Sequence, residues 1–145
     1  MVSKRIVVIG GTAAGPKAAS RIKRLDQAAE VTLLQKAPEL SMASCGYPYY
    51  VEGLFKERDK LLSTPAGVVR NPAFFAGAKG FTALVGTEAM AIDRKAKTVS
   101  WTNSSGETGL LPYDKLIICT GSVAKMPPIP GRERQGVTTL HSMKD

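Results

Sequence analysis

A glycine-rich turn near the start of the chain limits the possible folds more than any other part of the sequence. It follows Arg5–Ile9, a run rich in β-branched residues that predicts a strand buried on both faces, and it reads Gly10-Gly11-Thr12-Ala13-Ala14-Gly15. Apolar residues then recur at helical spacing through Ala13–Ala29, and a second apolar run covers Val31–Leu34. Strand, glycine turn, helix and strand within about 30 residues predict a βαβ unit. The chain is therefore expected to build a parallel sheet with a crossover helix.

The same turn predicts a phosphate-binding function. It keeps the first and last glycines of the dinucleotide pattern and has Thr12 at the middle position. A tight turn of this kind lets backbone N–H groups and a helix N-terminus face a pyrophosphate. Gln35 stands where an acidic residue would bind the ribose, and its amide can accept from a ribose hydroxyl. A plain strand-to-helix turn is the alternative interpretation.

Composition excludes several classes of protein. The 145 residues carry 20 Lys and Arg against 12 Asp and Glu, a formal net charge of +8, which favours an anionic partner. No apolar run reaches the roughly 18 residues that span a bilayer, and Ile6–Ile9 is too short for a secretory signal. We therefore expect a cytoplasmic protein without a membrane segment, with Cys45 and Cys119 reduced, and we predict no metal site.

The rest of the chain predicts mostly strands. A short helix is expected after the Cys45 segment and another near Asn71–Ala78. Turn residues separate four short segments that predict strands: Phe81–Val85, Ala89–Asp93, Thr98–Trp101 and Leu110–Tyr113. The last three of these predict an antiparallel meander. Lys115–Cys119 predicts a further, strongly apolar strand that ends at Thr120-Gly121. The predicted class is α/β.

Cys45 is the strongest candidate nucleophile. Its surroundings read Ser41-Met42-Ala43-Ser44-Cys45-Gly46-Tyr47-Pro48-Tyr49, where a loop enters a predicted helix. A helix N-terminus favours the reactive form of a cysteine. Taken alone, a free cysteine is more often a small buried apolar residue, and this alternative would be favoured.

Three segments in order, Val7–Gly15, Ser41–Tyr49 and Tyr113–Pro130, resemble the FAD-dependent pyridine nucleotide-disulfide oxidoreductases over essentially the whole chain. The resemblance is to their single-cysteine branch, the coenzyme A-disulfide reductases, persulfide reductases, NADH oxidases and NADH peroxidases. It implies a Rossmann-like FAD/NAD(P)-binding domain. It also implies that residues 1–145 are only the N-terminal portion of the FAD-binding domain, because family members continue past Asp145. The NADH-binding and dimerisation domains would then be absent from this chain, and the full-length protein would be a homodimer.

The resemblance assigns the chemistry to Cys45. The second cysteine of the classical disulfide reductases is replaced by Tyr50, so a lone thiolate would cycle through a mixed disulfide or a sulfenic acid. The histidine usual in the oxidases and peroxidases is replaced by Ala13, which favours coenzyme A-disulfide or persulfide reduction. Met42 replaces the phenylalanine of that branch. Coenzyme A would contact residues of the first helix and the cysteine segment: Lys17, Arg21, Arg24, Ser41 and Ser44.

Contacts with FAD follow from the same resemblance, and NADH or NADPH would be the reductant, bound outside this chain. The implied flavin contacts are Gly10, Gly11, Thr12, Ala14 and Gly15 at the pyrophosphate, Gln35 and Lys36 at the ribose, Ala89 at the adenine, and Thr120 and Gly121 closing the site.

Two other functions stay open, and a third is not expected. The chain could belong to an NADH oxidase or peroxidase, or it could be a non-catalytic flavin-binding thiol sensor in which Cys45 detects oxidants. A nucleic-acid binder would need a clustered basic patch with stacking aromatic residues. The basic residues are instead spread along the chain, so no nucleic-acid partner is expected.

Overall fold

The computed structural model describes residues 3–145 of the chain. Helices α1, α2 and α3 span Ala14–Leu25, Tyr47–Glu52 and Pro72–Lys79. Strands β1 to β7 span Arg5–Ile9, Glu30–Gln35, Thr82–Val85, Thr87–Asp93, Thr98–Asn103, Thr108–Pro112 and Lys115–Ile118. Two short 3-10 turns, Ser44–Gly46 and Arg58–Leu61, lie between β2 and α3.

A four-stranded parallel sheet forms the centre of the fold, in the order β3-β2-β1-β7. In register, Val8 of β1 lies between Leu33 of β2 and Ile117 of β7. All of Ile6–Ile9 is buried, because other elements cover both faces of the sheet. The predicted buried first strand is therefore confirmed.

Helix α1 is the crossover between β1 and β2. Its fully buried Ala19 belongs to the same core cluster as Val8 and Leu33. The predicted helical range Ala13–Ala29 is wrong at its end, because α1 stops at Leu25 and Asp26 takes an extended conformation with φ −142° and ψ 93°. The loop into β2 is closed by the Lys23 ammonium group, which donates to the Ala29 carbonyl at 2.7 Å.

The three-stranded antiparallel meander β4-β5-β6 covers the other face of the parallel sheet. Val99 and Tyr113 are buried against Val7, Ile9 and Leu34, side chains that point away from α1. The fold therefore has three layers, with helices on one side, the parallel sheet in the middle and the meander on the other side. This arrangement confirms the predicted α/β class and the meander.

An aspartate fastens β7 beside β1. The Arg5 backbone N–H donates to Asp114 Oδ2 at 2.7 Å, and the Asp114 N–H donates back to the Arg5 carbonyl at 2.8 Å. The Arg5 backbone bond, together with the Arg5 guanidinium group, holds the pKa of the Asp114 carboxyl below its usual value. These bonds set the two strands side by side at the amino ends, so that their carboxyl ends emerge together.

The helices outside the crossover are short. Asn71 caps the N-terminus of α3, where its side chain accepts from the Phe74 N–H at 2.8 Å, and Gly80 with φ 72° follows the last residue of the helix. It buries Phe75 against Phe81. Within residues 3–145, no helix has both the length and the apolar character needed to cross a bilayer.

Candidate functional site

The carboxyl ends of β1 and β7 form one edge of the site. The chain leaves β1 toward β2 on one side, while β7 lies on the other side. Such a reversal of strand order opens a crevice, where open α/β sheets bind their ligands. The Cys119 N–H donates to the Ile9 carbonyl at 2.7 Å, which brings Thr120 and Gly121 beside Gly10.

The glycine turn is closely packed at its two end positions. A Cβ atom on Gly10 would overlap the Cys119 carbonyl oxygen, and Gly10 also has a positive φ of 106°. A Cβ atom on Gly15 would overlap the Gly10 carbonyl oxygen. Only glycine fits at these two positions, which explains why the turn keeps its first and last glycines and tolerates Thr12 between them.

The turn presents backbone donors to the crevice. The N–H groups of Gly10 and Gly11 are bonded to the Leu34 carbonyl and to Gln35 Oε1, each at 2.8 Å. Within residues 3–145, no acceptor is found for the N–H groups at positions 12–15, and α1 has neither a capping side chain nor an acidic residue in its first turn. Unpaired N–H groups at the positive end of a helix dipole fit a pyrophosphate, so this edge fits a dinucleotide such as FAD.

The remaining predicted flavin contacts surround the same edge. Gln35 and Lys36 lie at the carboxyl end of β2, and the Lys36 ammonium group pairs with the Glu88 carboxylate at 2.8 Å. That ion pair brings the start of β4 to the edge. Ala89, the next residue of β4, is half-buried opposite Trp101 of β5.

Cys45 lies exposed in the 3-10 turn Ser44–Gly46, directly before α2. The turn rests on Leu61, because the Ala43 N–H donates to the Leu61 carbonyl at 2.9 Å. A Cβ atom on Gly46 would come within 2.6 Å of the Leu61 side chain, so the turn sits tightly against it. The backbone next to Cys45 is therefore fixed while its thiol is open to solvent.

A small apolar cluster supports this turn from below. Met42, Tyr47 and Leu61 are buried together, and Met143 from the end of the chain packs against them. Burial of the Tyr47 ring, followed by the nearby carboxylates, raises the pKa of its phenol, so the ring stays neutral. Met42 thus fills a core position, which is a packing role that a phenylalanine could also fill.

A basic groove runs along α1 and ends beside the Cys45 turn. Its first part is a cavity of about 420 Å³ whose lining includes Thr12, Lys17, Ser20, Ser41, Arg70 and Lys79. Its second part, of about 470 Å³, includes Ser20, Lys23, Arg24 and Lys79. Since Ser20 and Lys79 line both cavities, the two parts form one groove. In the described part of the chain, Lys17, Arg24 and Lys79 have no carboxylate partner.

The groove is lined by some of the residues predicted to contact coenzyme A and by basic residues that the sequence analysis did not single out. Lys17, Ser41 and Arg24 line it, whereas Arg21 and Ser44 are exposed outside its lining. Arg70 and Lys79 were not predicted. In the sequence Lys79 looks like an ordinary cation in the last turn of a helix, and Arg70 lies in an irregular segment. Neither carried a signal of a site.

The sequence profile described as pyridine nucleotide-disulphide oxidoreductase matches residues 4–145. The chain belongs to this family. As a family member it is 33% identical, over 98% of its length, to the coenzyme A disulfide reductase of Staphylococcus haemolyticus, and it covers 30% of that relative. It thus spans less than a third of the length of this curated relative.

Solved structures of related proteins share the fold of this family member. The NAD-dependent persulfide reductase from A. fulgidus is 45% identical with a TM-score of 0.88, over 97% of this chain and 26% of that one. The water-forming NADH oxidase from Lactobacillus brevis, bound to NADH, is 26% identical with a TM-score of 0.81, over 98% of this chain and 30% of that one. The predicted Rossmann-like architecture and family are confirmed.

Proposed function

We propose that the full-length protein is an FAD-dependent oxidoreductase that uses NADH or NADPH to reduce a disulfide or persulfide, such as coenzyme A disulfide, through Cys45. One observation carries the proposal most directly. One basic cavity is lined both by Thr12 and Ala13 of the glycine turn and by Ser41–Ala43, the residues that lead directly into the turn of the exposed Cys45. The backbone N–H donors of the glycine turn and the segment that carries the thiol thus face the same groove.

The charge of the groove supports an anionic thiol substrate. Lys17, Arg24 and Lys79 present ammonium and guanidinium groups along α1 and the end of α3. Coenzyme A carries phosphates and ends in a thiol, so its phosphates could pair with these cations while its sulfur reaches Cys45. Ser41 lines the same groove and precedes the Cys45 turn by three residues.

The residues present account for the sulfur chemistry. The Cys45 thiolate attacks one sulfur of the disulfide, forms a mixed disulfide and releases the other half as a thiolate. A two-electron reduction of the mixed disulfide releases the second thiol and restores the Cys45 thiolate. When bound at the glycine turn, FAD would supply those electrons from NAD(P)H. The turn, Thr120 and Gly121 would hold it, and the fixed backbone at Gly46 would orient Cys45.

The described residues form the flavin and thiol side of the proposed enzyme. We propose that residues 1–145 are the N-terminal portion of an FAD-binding domain and that the NAD(P)H site lies elsewhere in the full-length protein. A homodimer in a reducing, cytoplasmic setting completes the proposal, consistent with the two free thiols Cys45 and Cys119. Light scattering of the full-length protein measures the dimer.

Turnover by the full-length protein tests the proposal. We expect NADH or NADPH oxidation that depends on added coenzyme A disulfide and is abolished in Cys45→Ser with FAD retained. Cys119→Ser is the matched control and should keep the activity, because Cys119 is half-buried at the end of β7. Absence of disulfide-dependent oxidation in protein that holds FAD would reject the substrate class.

An NADH oxidase is the second candidate, because the Lactobacillus brevis structure shares the fold and Cys45 has no cysteine beside it to form a disulfide. A lone exposed thiol can cycle through a sulfenic acid. Consumption of oxygen or peroxide with NADH, in the absence of a disulfide, would favour this function. Unchanged reductase activity in Cys45→Ser would instead favour a thiol sensor.

A further inference from the structure

We propose that Gln35 is a positioning residue, which joins the glycine turn to the segment leading to Cys45 and can do so only as a neutral amide. The proposal rests on the function proposed above, since it concerns how the flavin turn and the thiol turn of one site are held together. It assigns Gln35 a role toward the protein itself, in addition to any contact with a ribose.

The Gln35 amide makes two hydrogen bonds of opposite sense. Its Oε1 accepts from the Gly11 N–H at 2.8 Å, and its Nε2 donates to the Glu39 carbonyl at 3.1 Å. A backbone N–H can only donate and a carbonyl oxygen can only accept, so these partners fix which end of the amide faces which group. The side chain therefore bridges the glycine turn and the loop after β2.

The loop after β2 binds both backbone polar groups of Gly11 and packs closely against its Cα atom. While its N–H donates to Gln35, its carbonyl accepts from the Ser41 N–H at 2.8 Å. A Cβ atom on Gly11 would come within 2.8 Å of the Gln35 Cβ and of the Leu40 side chain. Both polar groups of Gly11 thus bind the segment 35–41, which continues directly into the Cys45 turn.

The conformation of segment 35–41 is held by further contacts besides those of Gln35. Ser41 has a φ of 52°, a conformation that a residue with a side chain adopts at an energetic cost. The Ser41 bond to Gly11 helps to hold it there. Glu39, whose carbonyl binds Gln35, is also held through its carboxylate by the Arg58 guanidinium group at 3.3 Å, and Arg58 donates to the Met143 carbonyl at 3.4 Å.

A carboxylate at position 35 could not make the same bridge. One oxygen could accept from Gly11, but the other would face the Glu39 carbonyl oxygen with no proton between them, and two acceptors repel. For a ribose hydroxyl, in contrast, a carboxylate is the stronger acceptor. The two roles therefore predict opposite effects of Gln35→Glu on FAD binding, weaker if Gln35 positions the protein and tighter if it only accepts from the ribose.

The experiment compares the full-length protein with its Gln35→Glu and Gln35→Ala variants. Gln135→Glu makes the same chemical change at an exposed position in the C-terminal segment and is the matched control. Hydrogen exchange of Gly11 and of residues 36–44 is measured without FAD, and the FAD dissociation constant is measured by flavin fluorescence. Gln35→Ala removes both bonds without adding a charge, so it keeps the test valid where Gln35→Glu fails to fold.

We expect Gln35→Glu to weaken FAD binding about tenfold and Gln35→Ala to speed exchange at Gly11 and residues 36–44 about tenfold. The Gln135→Glu protein should match the wild type in both measurements. Tighter or equal FAD binding in Gln35→Glu, or unchanged exchange in Gln35→Ala, would overturn the proposal. Because exchange needs no turnover, a protein without disulfide reductase activity would refute the proposed function and leave this test of Gln35 intact.

Discussion

Removing two cations from the groove should weaken the binding of the proposed anionic substrate by an amount that can be worked out from the structure. Lys17 and Arg24 lie on the same face of α1, two turns apart, and about 10 Å separates their backbone positions at 1.5 Å per residue. Both side chains are exposed, so each contact with a phosphate at about 4 Å contributes about 1 kcal/mol, the value for water-like screening. Two independent contacts contribute about 2 kcal/mol, or roughly a 30-fold change in affinity.

The assay is the steady-state kinetics of coenzyme A disulfide reduction by the full-length Lys17→Ala/Arg24→Ala variant. We expect KM to rise about 30-fold at low ionic strength while kcat stays the same, because neither side chain belongs to the Cys45 turn. In about 1 M salt the Debye length falls to about 3 Å, so the difference in KM should shrink to a few-fold. Alanine favours the helix, so the variant should fold.

The matched control for this variant is Arg94→Ala, which removes one cation from the turn between β4 and β5, on the face of the sheet opposite α1. Its KM should equal that of the wild type at every salt concentration. A KM within twofold of the wild type in Lys17→Ala/Arg24→Ala, or an equal change in Arg94→Ala, would refute the assignment of the groove as the anion site.

Three further changes test the fold around the site. Asn71→Ala should lower the free energy of unfolding by about 1 kcal/mol in urea denaturation, because the Phe74 N–H loses its acceptor. Asn71→Ser should keep most of the wild-type stability, because the serine hydroxyl can also accept from this N–H. The pKa of Tyr47 is raised in the folded protein, so the stability this brings is present below about pH 10 and is lost as the pH rises through the folded value. The alkaline loss of stability should be smaller in Tyr47→Phe, and an identical pH profile would contradict this cause. Gly15→Ala should abolish FAD binding, since its Cβ would overlap the Gly10 carbonyl oxygen, and normal flavin content would show that the turn can adjust.

The sequence was informative wherever neighbours along the chain decide the structure. Strand Arg5–Ile9 was predicted with its observed limits, because a β-branched run before a glycine turn has few other conformations. The end of α1 was missed, because Leu25 and Ala29 both fit the apolar periodicity. The extended backbone of Asp26, and the Lys23 bond to the Ala29 carbonyl, end the helix early.

The candidate site also contains residues that the sequence could indicate and residues that it could not. Lys17 and Ser41 could be proposed from the family motifs, and the structure brings them together in one groove. Lys79 comes to that groove on a different helix, and its distance in the sequence gives no sign of this. The Gln35 bond to Gly11 was likewise outside the reach of the sequence, because Gly11 becomes its partner only once β1 and β2 pair.

The intact mass of the purified full-length protein, measured without reductant and again after reduction, tests the role of Cys45 most directly. We predict an adduct of coenzyme A mass that reductant removes and that is missing in Cys45→Ser but present in Cys119→Ser. The exposed Cys45 thiol should form this mixed disulfide with coenzyme A in the cell. A Cys45 that is unmodified, or that carries only added oxygen, would contradict the coenzyme A-linked account and favour an oxidase, a peroxidase or a sensor.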